Sequence, residues 1–196
     1  MKLILIRHGE TIENKKGILM GQLHGTLSDE GIEQAKKVAK RLKDEKIDAI
    51  YSSDLTRSLE TAKEVIKYHQ DIPMHIVKDL RERNFGELQG KTKIEIDWKW
   101  YMASDKRIPN GETNEEIYQR AKKFLDKIIH EHKNDTVLFV CHGGIGKFLI
   151  GVITNKKPDE VKDLESLENT SISIFEISEN KKHKIHLFND IEHLKI

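Results

Sequence analysis

The sequence predicts an α/β fold of three layers, with helices on both faces of a mostly parallel central sheet, and three observations carry that prediction. Two apolar runs, Leu3-Ile4-Leu5-Ile6 and Thr136-Val137-Leu138-Phe139-Val140, are continuous rather than alternating, as strands covered on both faces are. Segments with apolar residues at helical spacing separate and follow them, so strands and helices alternate along the chain. Each run also stops at a histidine followed by glycine, His8-Gly9 after the first and His142-Gly143 after the second. In open α/β sheets the carboxyl ends of the strands carry the ligand, so these histidines, with Arg7 beside the first, mark a candidate site.

The elements follow in order. After the first strand comes a loop punctuated by Gly17, Gly21 and Gly25. Ser28-Asp29-Glu30 reads as a helix start, since a serine hydroxyl caps free amides and acidic groups suit the positive end of the helix dipole. Ile32, Ala35, Val38, Ala39 and Leu42 form its inward stripe. Residues 47–51 read as the second strand. Ser52-Ser53-Asp54 reads as the cap of a helix whose inner stripe is Leu55, Leu59, Ala62, Val65 and Ile66. Met74-His75-Ile76-Val77 reads as a short strand.

Residues 80–111 hold Gly86, Gly90, Pro109, Gly111, both tryptophans and many basic residues, and read as a long, partly helical excursion covering the active-site edge of the sheet. A helix follows over about 114–132, with Ile117, Ala121, Phe124, Leu125 and Ile128 inward. The strand ending at Val140 comes next, then a helix over about 144–154, an alternating strand over 171–177 and an edge strand over 183–188.

The 196 residues suit a single domain spanning 1–196, and no internal repeat is present. Lysine and arginine number 34 against 33 acidic residues, a net charge of +1, so no whole-molecule field points to nucleic acid or a membrane surface as partner. The single cysteine, Cys141, has no internal disulfide partner and is expected in the core. No apolar run is long enough for a signal peptide or a membrane span, and a cytoplasmic protein is the expectation.

Arg7-His8-Gly9-Glu10-Thr11 with Asn14 has the composition of an oxyanion site: a planar guanidinium fork, a glycine that lets amides approach, and an imidazole able to act as nucleophile. The same residues also suit a surface turn after a strand. Other phosphate chemistries fit less well. A cysteine-dependent phosphatase needs an arginine six positions after its cysteine, where Cys141 is followed by Lys147. A nucleotide-binding loop needs glycine at 141 and serine or threonine at 148, where Cys141 and Phe148 stand. For zinc, His130 and His132 point to different sides of a helix, and His183 and His186 lack further ligands, so no metal site is expected.

These residues and others resemble the histidine phosphatase superfamily, the phosphoglycerate-mutase-like proteins. The resemblance runs from Lys2 to about Ile177. It is carried by Arg7 to Thr11 with Asn14, by Gly21-Gln22, by Leu27-Ser28 with Gly31 and Ala35, and by Tyr51-Ser52-Ser53-Asp54-Leu55-Thr56-Arg57 with Thr61-Ala62. It continues through Leu80-Arg81-Glu82-Arg83-Asn84-Phe85-Gly86-Glu87-Leu88-Gln89-Gly90, Gly111-Glu112-Thr113, Arg120, His142-Gly143-Gly144 and Asn169-Thr170-Ser171. The resemblance implies a phosphoglycerate mutase-like fold and a metal-independent, cofactor-free phosphoryl transfer. His8 would be the nucleophile that becomes phosphohistidine. Arg7, Arg57 and His142 would hold the phosphoryl oxygens, and Glu82 would be acid and then base. Asn14, Gly21, Gln22 and Gly143 would complete the phosphate site. His8 would have to be neutral to attack, whereas His142 would serve best protonated.

Within the family, mutases carry an insertion after the acid segment with paired arginines. Between Gly90 and Gly111 this chain has Lys91, Lys93, Lys99, Lys106 and Arg107 and no arginine pair, so net hydrolysis of a small phosphorylated substrate is expected. A phosphoglycerate mutase and a non-catalytic phospho-ligand-binding protein are the alternatives. Four departures from the family pattern touch the pocket rather than the catalytic set: Glu13 for an aromatic residue, His24-Gly25-Thr26 for aspartate-x-proline, Leu88 for a frequent tryptophan and Lys147 for arginine. Basic residues over 81–107 suit a second anionic group on the substrate, and equally an ordinary charged surface. Family dimers exist, so a homodimer is an open expectation, with no interface marked in the sequence.

Overall fold

The computed structural model describes residues 1–92, 94–96, 107–178 and 182–195. Six strands form one sheet: β1 (Lys2–Arg7), β2 (Ala49–Ser53), β3 (Met74–Val77), β4 (Thr136–Cys141), β5 (Ile172–Ile177) and β6 (His183–Asp190). Their order is β3-β2-β4-β1-β5-β6, the first four parallel to one another, β5 antiparallel to β1 and β6 antiparallel to β5. Five α-helices are described: α1 (Ile12–Lys15), α2 (Asp29–Leu42), α3 (Thr56–Ile66), α4 (Asn114–Glu131) and α5 (Gly143–Ile153).

The continuous apolar runs are continuous because both faces of the sheet are covered. Leu3, Leu5, Val137, Phe139 and Cys141 point to one core with Phe124 and Leu125 of α4 and Leu149 of α5. Ile4, Ile6, Leu138 and Val140 point to the other with Val38 and Leu42 of α2 and Val65 of α3. Cys141 is a buried free thiol, as expected. Among the described residues no helix is long and apolar enough to cross a membrane.

Several local readings are corrected. The inward stripe of α2 begins at Gly31, and Ile32 is exposed. Only glycine fits there, because a Cβ at 31 would stand 1.9 Å from the Glu10 carbonyl oxygen. Ser52 and Ser53 do not cap α3 but continue β2, paired with β3, and are fully buried. Leu55 is the N-cap without a side-chain bond, and the inward face of α3 carries Arg57, Ser58 and Thr61 besides Ala62 and Val65. The second strand starts at Ala49, two residues later than expected, and β6 runs on to Asp190. Ser173 is buried as well as its apolar neighbours, so β5 does not show the alternation of a half-exposed strand.

The excursion over 80–111 contains a 3-10 turn at Gly86–Leu88. It is tied to the glycine loop through reciprocal bonds: the Leu19 amide donates to the Lys91 carbonyl, and the Gly90 amide to the Leu19 carbonyl, each at 2.8 Å. Trp98 and Trp100, with Lys93, Lys99 and Lys106, lie outside the described residues.

Candidate active site

β1 and β4 are parallel neighbours with Arg7 opposite Cys141, so the next residues, His8 and His142, leave the sheet side by side. Both are buried, and their ring centroids are 5.1 Å apart. His8 Nδ1 donates to the Gly9 carbonyl at 2.7 Å. That bond fixes the tautomer and leaves Nε2 without a proton, so that it accepts from Arg57 Nε at 3.2 Å, the N–H of Arg57 being shared with His142. Burial holds the His8 pKa well below the usual imidazole range, with Arg57 and Arg7 adding to the effect.

His142 corrects the expectation of a protonated ring. Its Nδ1 accepts from Arg57 Nε at 3.1 Å, and its Nε2 donates to Ser53 Oγ at 2.8 Å. It is therefore a neutral imidazole, held so by burial and then by the charges of Arg57 and its neighbours. It does not line the cleft described below.

Arg57, on the first turn of α3, organises the centre. Nη1 donates to the Leu23 carbonyl and Nη2 to the Gly21 carbonyl, each at 2.7 Å, which draws the glycine loop over the site and leaves one N–H on each terminal nitrogen. Burial pulls its guanidinium down to about 10, with Glu82 opposing. Arg7 donates through Nη1 to the Leu167 carbonyl, and its buried Nε has no protein acceptor among the described residues.

Glu82 meets the site from the excursion. Its Oε2 accepts from the Gly144 amide at 2.8 Å, and its Oε1 from Ile145 at 2.9 Å and Arg83 at 2.7 Å, at the positive end of α5. A Cβ on Gly144 would lie 2.3 Å from Oε1, so glycine there admits the carboxyl. Arg120 of α4 fixes the segment that carries it. It grips both oxygens of Glu112 at 2.9 and 2.8 Å and donates to the carbonyls of Asp79 and Arg81. The Asn84 amide in turn donates to Glu112 at 2.7 Å.

Arg7, His8, Arg57, Glu82, Asn14, Gly21 and Gly143 all line one cleft of about 350 Å³. Gln22 does not line it: its Nε2 donates to the Glu82 carbonyl and its amide to Gln89 Oε1, so it braces the acid segment. Two basic residues expected for a second anion are occupied, Arg81 by Asp54 through Nε at 2.7 Å and Arg107 by Glu116 at 3.1 Å. Among the described residues no three His, Cys, Asp or Glu side chains converge as a metal cluster.

Three groups escaped the sequence-based site. Gln89 locks Gly21, which sits at φ +52 with no room for a Cβ. Ser53 orients His142. Asn169 Nδ2 donates to the His8 carbonyl at 2.9 Å, beside Thr170, a β-branched residue held at φ 55. All three lie within the family-like strings, but only their contacts across the fold reveal what they do.

Comparison with known proteins places the whole chain in one family. A metal-independent phosphoserine phosphatase of Arabidopsis thaliana is 33% identical, covering 98% of this chain and 83% of that one. Phosphoglycerate mutase-like protein 4 of the same plant is 32% identical over 99% and 87%. The structure of phosphoserine phosphatase from Entamoeba histolytica in complex with 3-phosphoglyceric acid superimposes with a TM-score of 0.85 at 30% identity, covering 98% of both chains. The family profile itself spans residues 3–191. With His8, two guanidiniums and a carboxyl at one cleft and His142 bonded to Arg57, the chain belongs to branch 1 of the histidine phosphatase superfamily and is a phosphatase.

Proposed function

We propose that the protein hydrolyses the phosphate monoester of a small metabolite, with His8 as nucleophile and Glu82 as acid and base. The observation that carries the reading is the His8 ring: Nδ1 is tied to the Gly9 carbonyl, so a proton-free Nε2 is presented beside Arg57 at the base of the cleft. Arg7 and Arg57, which both line the cleft, supply the positive charge for the phosphoryl oxygens. His142 acts from behind, holding Arg57 through its Nδ1.

In the first step Nε2 forms the N–P bond as the ester P–O bond breaks, and Glu82 gives its proton to the departing oxygen. Both lone pairs of Oε1 are taken by amides, whereas among the described residues Oε2 accepts one, so Oε2 is the oxygen open to exchange a proton with the leaving group. In the second step water passes a proton back to Glu82, attacks phosphorus and breaks the P–N bond. Charge on the transferring group is met throughout by fixed guanidinium and amide dipoles.

The test is phosphate release, with chelator present, from an aryl phosphate, O-phosphoserine, 3-phosphoglycerate, fructose 2,6-bisphosphate and α-ribazole phosphate. The intact protein should turn over at least one of them, and His8→Ala should lose more than about a thousandfold of that rate. Turnover undiminished in His8→Ala would overturn the assignment.

A further inference from the structure

The cleft carries one cation that phosphoryl transfer does not use. Lys147 lines it, three residues beyond Gly144 on α5. Residues three apart share a helix face, so Lys147 stands on the same side of α5 as Gly144, whose amide holds Glu82. Among the described residues its Nζ has one protein acceptor, the Lys162 carbonyl at 3.1 Å, which leaves two N–H donors. Partial burial pulls the ammonium below the usual lysine range, with the charge of Asp163 opposing, and no carboxylate stands within ion-pair distance among the described residues.

Charge matching then points to the ligand. Arg7 and Arg57 balance a phosphoryl dianion, and the Glu82 carboxyl is engaged by three amides. Lys147 remains as a surplus positive charge in a cleft whose wall also includes Ser166 and the apolar residues Ile18, Leu19, Met20 and Phe85. One ammonium with two free donors suits the single charge and two oxygens of a carboxylate. A second phosphoryl group would bring twice the charge into a cleft of about 350 Å³.

We propose that Lys147 is a specificity-determining residue that pairs with a carboxylate on the leaving-group half of the substrate, so that compact phosphorylated acids are preferred over phosphorylated alcohols and amines. The inference rests on the hydrolase reading above and adds the chemical class to it.

The experiment compares the intact protein with Lys147→Met, which keeps the stem and removes the charge, and with Lys147→Arg. O-phosphoserine and 3-phosphoglycerate are set against phosphoethanolamine, glycerol 3-phosphate and p-nitrophenyl phosphate. Lys147→Met should raise KM for the two acids about tenfold or more while kcat stays within about twofold, and leave the other three substrates unchanged. Lys147→Arg should restore most of the acid preference. A uniform loss, a loss in kcat alone, or an intact protein without acid preference would overturn the proposal. In that event His8-dependent turnover of p-nitrophenyl phosphate would show that the hydrolase reading itself stands, and its absence would refute both.

Discussion

Gly144→Ala displaces the Glu82 carboxyl without replacing it. The new methyl would sit 2.3 Å from Oε1 and 3.0 Å from Cδ, whereas ordinary contact begins at 3.4 Å, so the carboxyl must retreat by about 1 Å. That shift breaks the bonds from the Gly144 and Ile145 amides, now 2.8 and 2.9 Å. A misplacement of that size lowers a rate by about a hundredfold when the displaced group acts in the transition state. Stability should respond much less. The obstacle is the mobile end of a side chain, and alanine is a better helix residue than glycine by up to about 1 kcal/mol, which offsets part of the lost bonding. The assay is kcat for an alkyl phosphate, whose leaving oxygen needs a proton, beside kcat for p-nitrophenyl phosphate, whose leaving group does not. We expect about a hundredfold loss on the first and less than about tenfold on the second. Equal losses on both would refute the role of Glu82 as acid.

Three further predictions follow from burial. His8 and His142 are held neutral in the folded protein, so below a pH of about 6.5 the unfolded chain binds protons that the folded one refuses, and stability falls as pH falls. For two such groups the loss between pH 7.5 and 5.5 is about 3 kcal/mol, read from urea midpoints; a flat profile would contradict it. Gly31→Ala places a methyl 1.9 Å from a backbone carbonyl that cannot rotate away, and should destabilise by more than about 3 kcal/mol in the same melts. A loss below about 1 kcal/mol would mean the loop yields more easily than its packing implies. Burial raises the Cys141 thiol well above its usual range, so iodoacetamide should label it only on unfolding and leave turnover intact. Inactivation in step with native-state labelling would contradict that.

The parallel core was legible because double-sided burial writes itself into consecutive residues: Leu3 to Ile6 and Val137 to Val140 needed no knowledge of their partners. So was the meeting of His8 and His142, since two in-register strands deliver whatever follows them to one edge. Less was visible where contact across the chain decides. Gly31 displaced Ile32 from the α2 stripe because the Glu10 carbonyl lies against it, a constraint that no periodicity within residues 29–42 can express. Ser52 and Ser53 look like caps locally, yet pairing with β3 keeps them in the sheet. The protonation of His142 depends on which way Arg57 Nε points, a fact of tertiary geometry, and the same holds for Gln89 bridging to the Gly21-Gln22 turn. Local chemistry therefore marked the reacting groups, while the groups that orient them became visible only once the fold brought them together.

The most direct test of the account is a rapid-quench experiment with phosphate-labelled substrate under single-turnover conditions. A transient phosphoenzyme is expected, stable in alkali and labile in acid, that maps to His8, forms in Glu82→Gln with an aryl phosphate and is absent from His8→Ala. A label on another residue, or turnover at full rate with no phosphoenzyme at any time point, would contradict it.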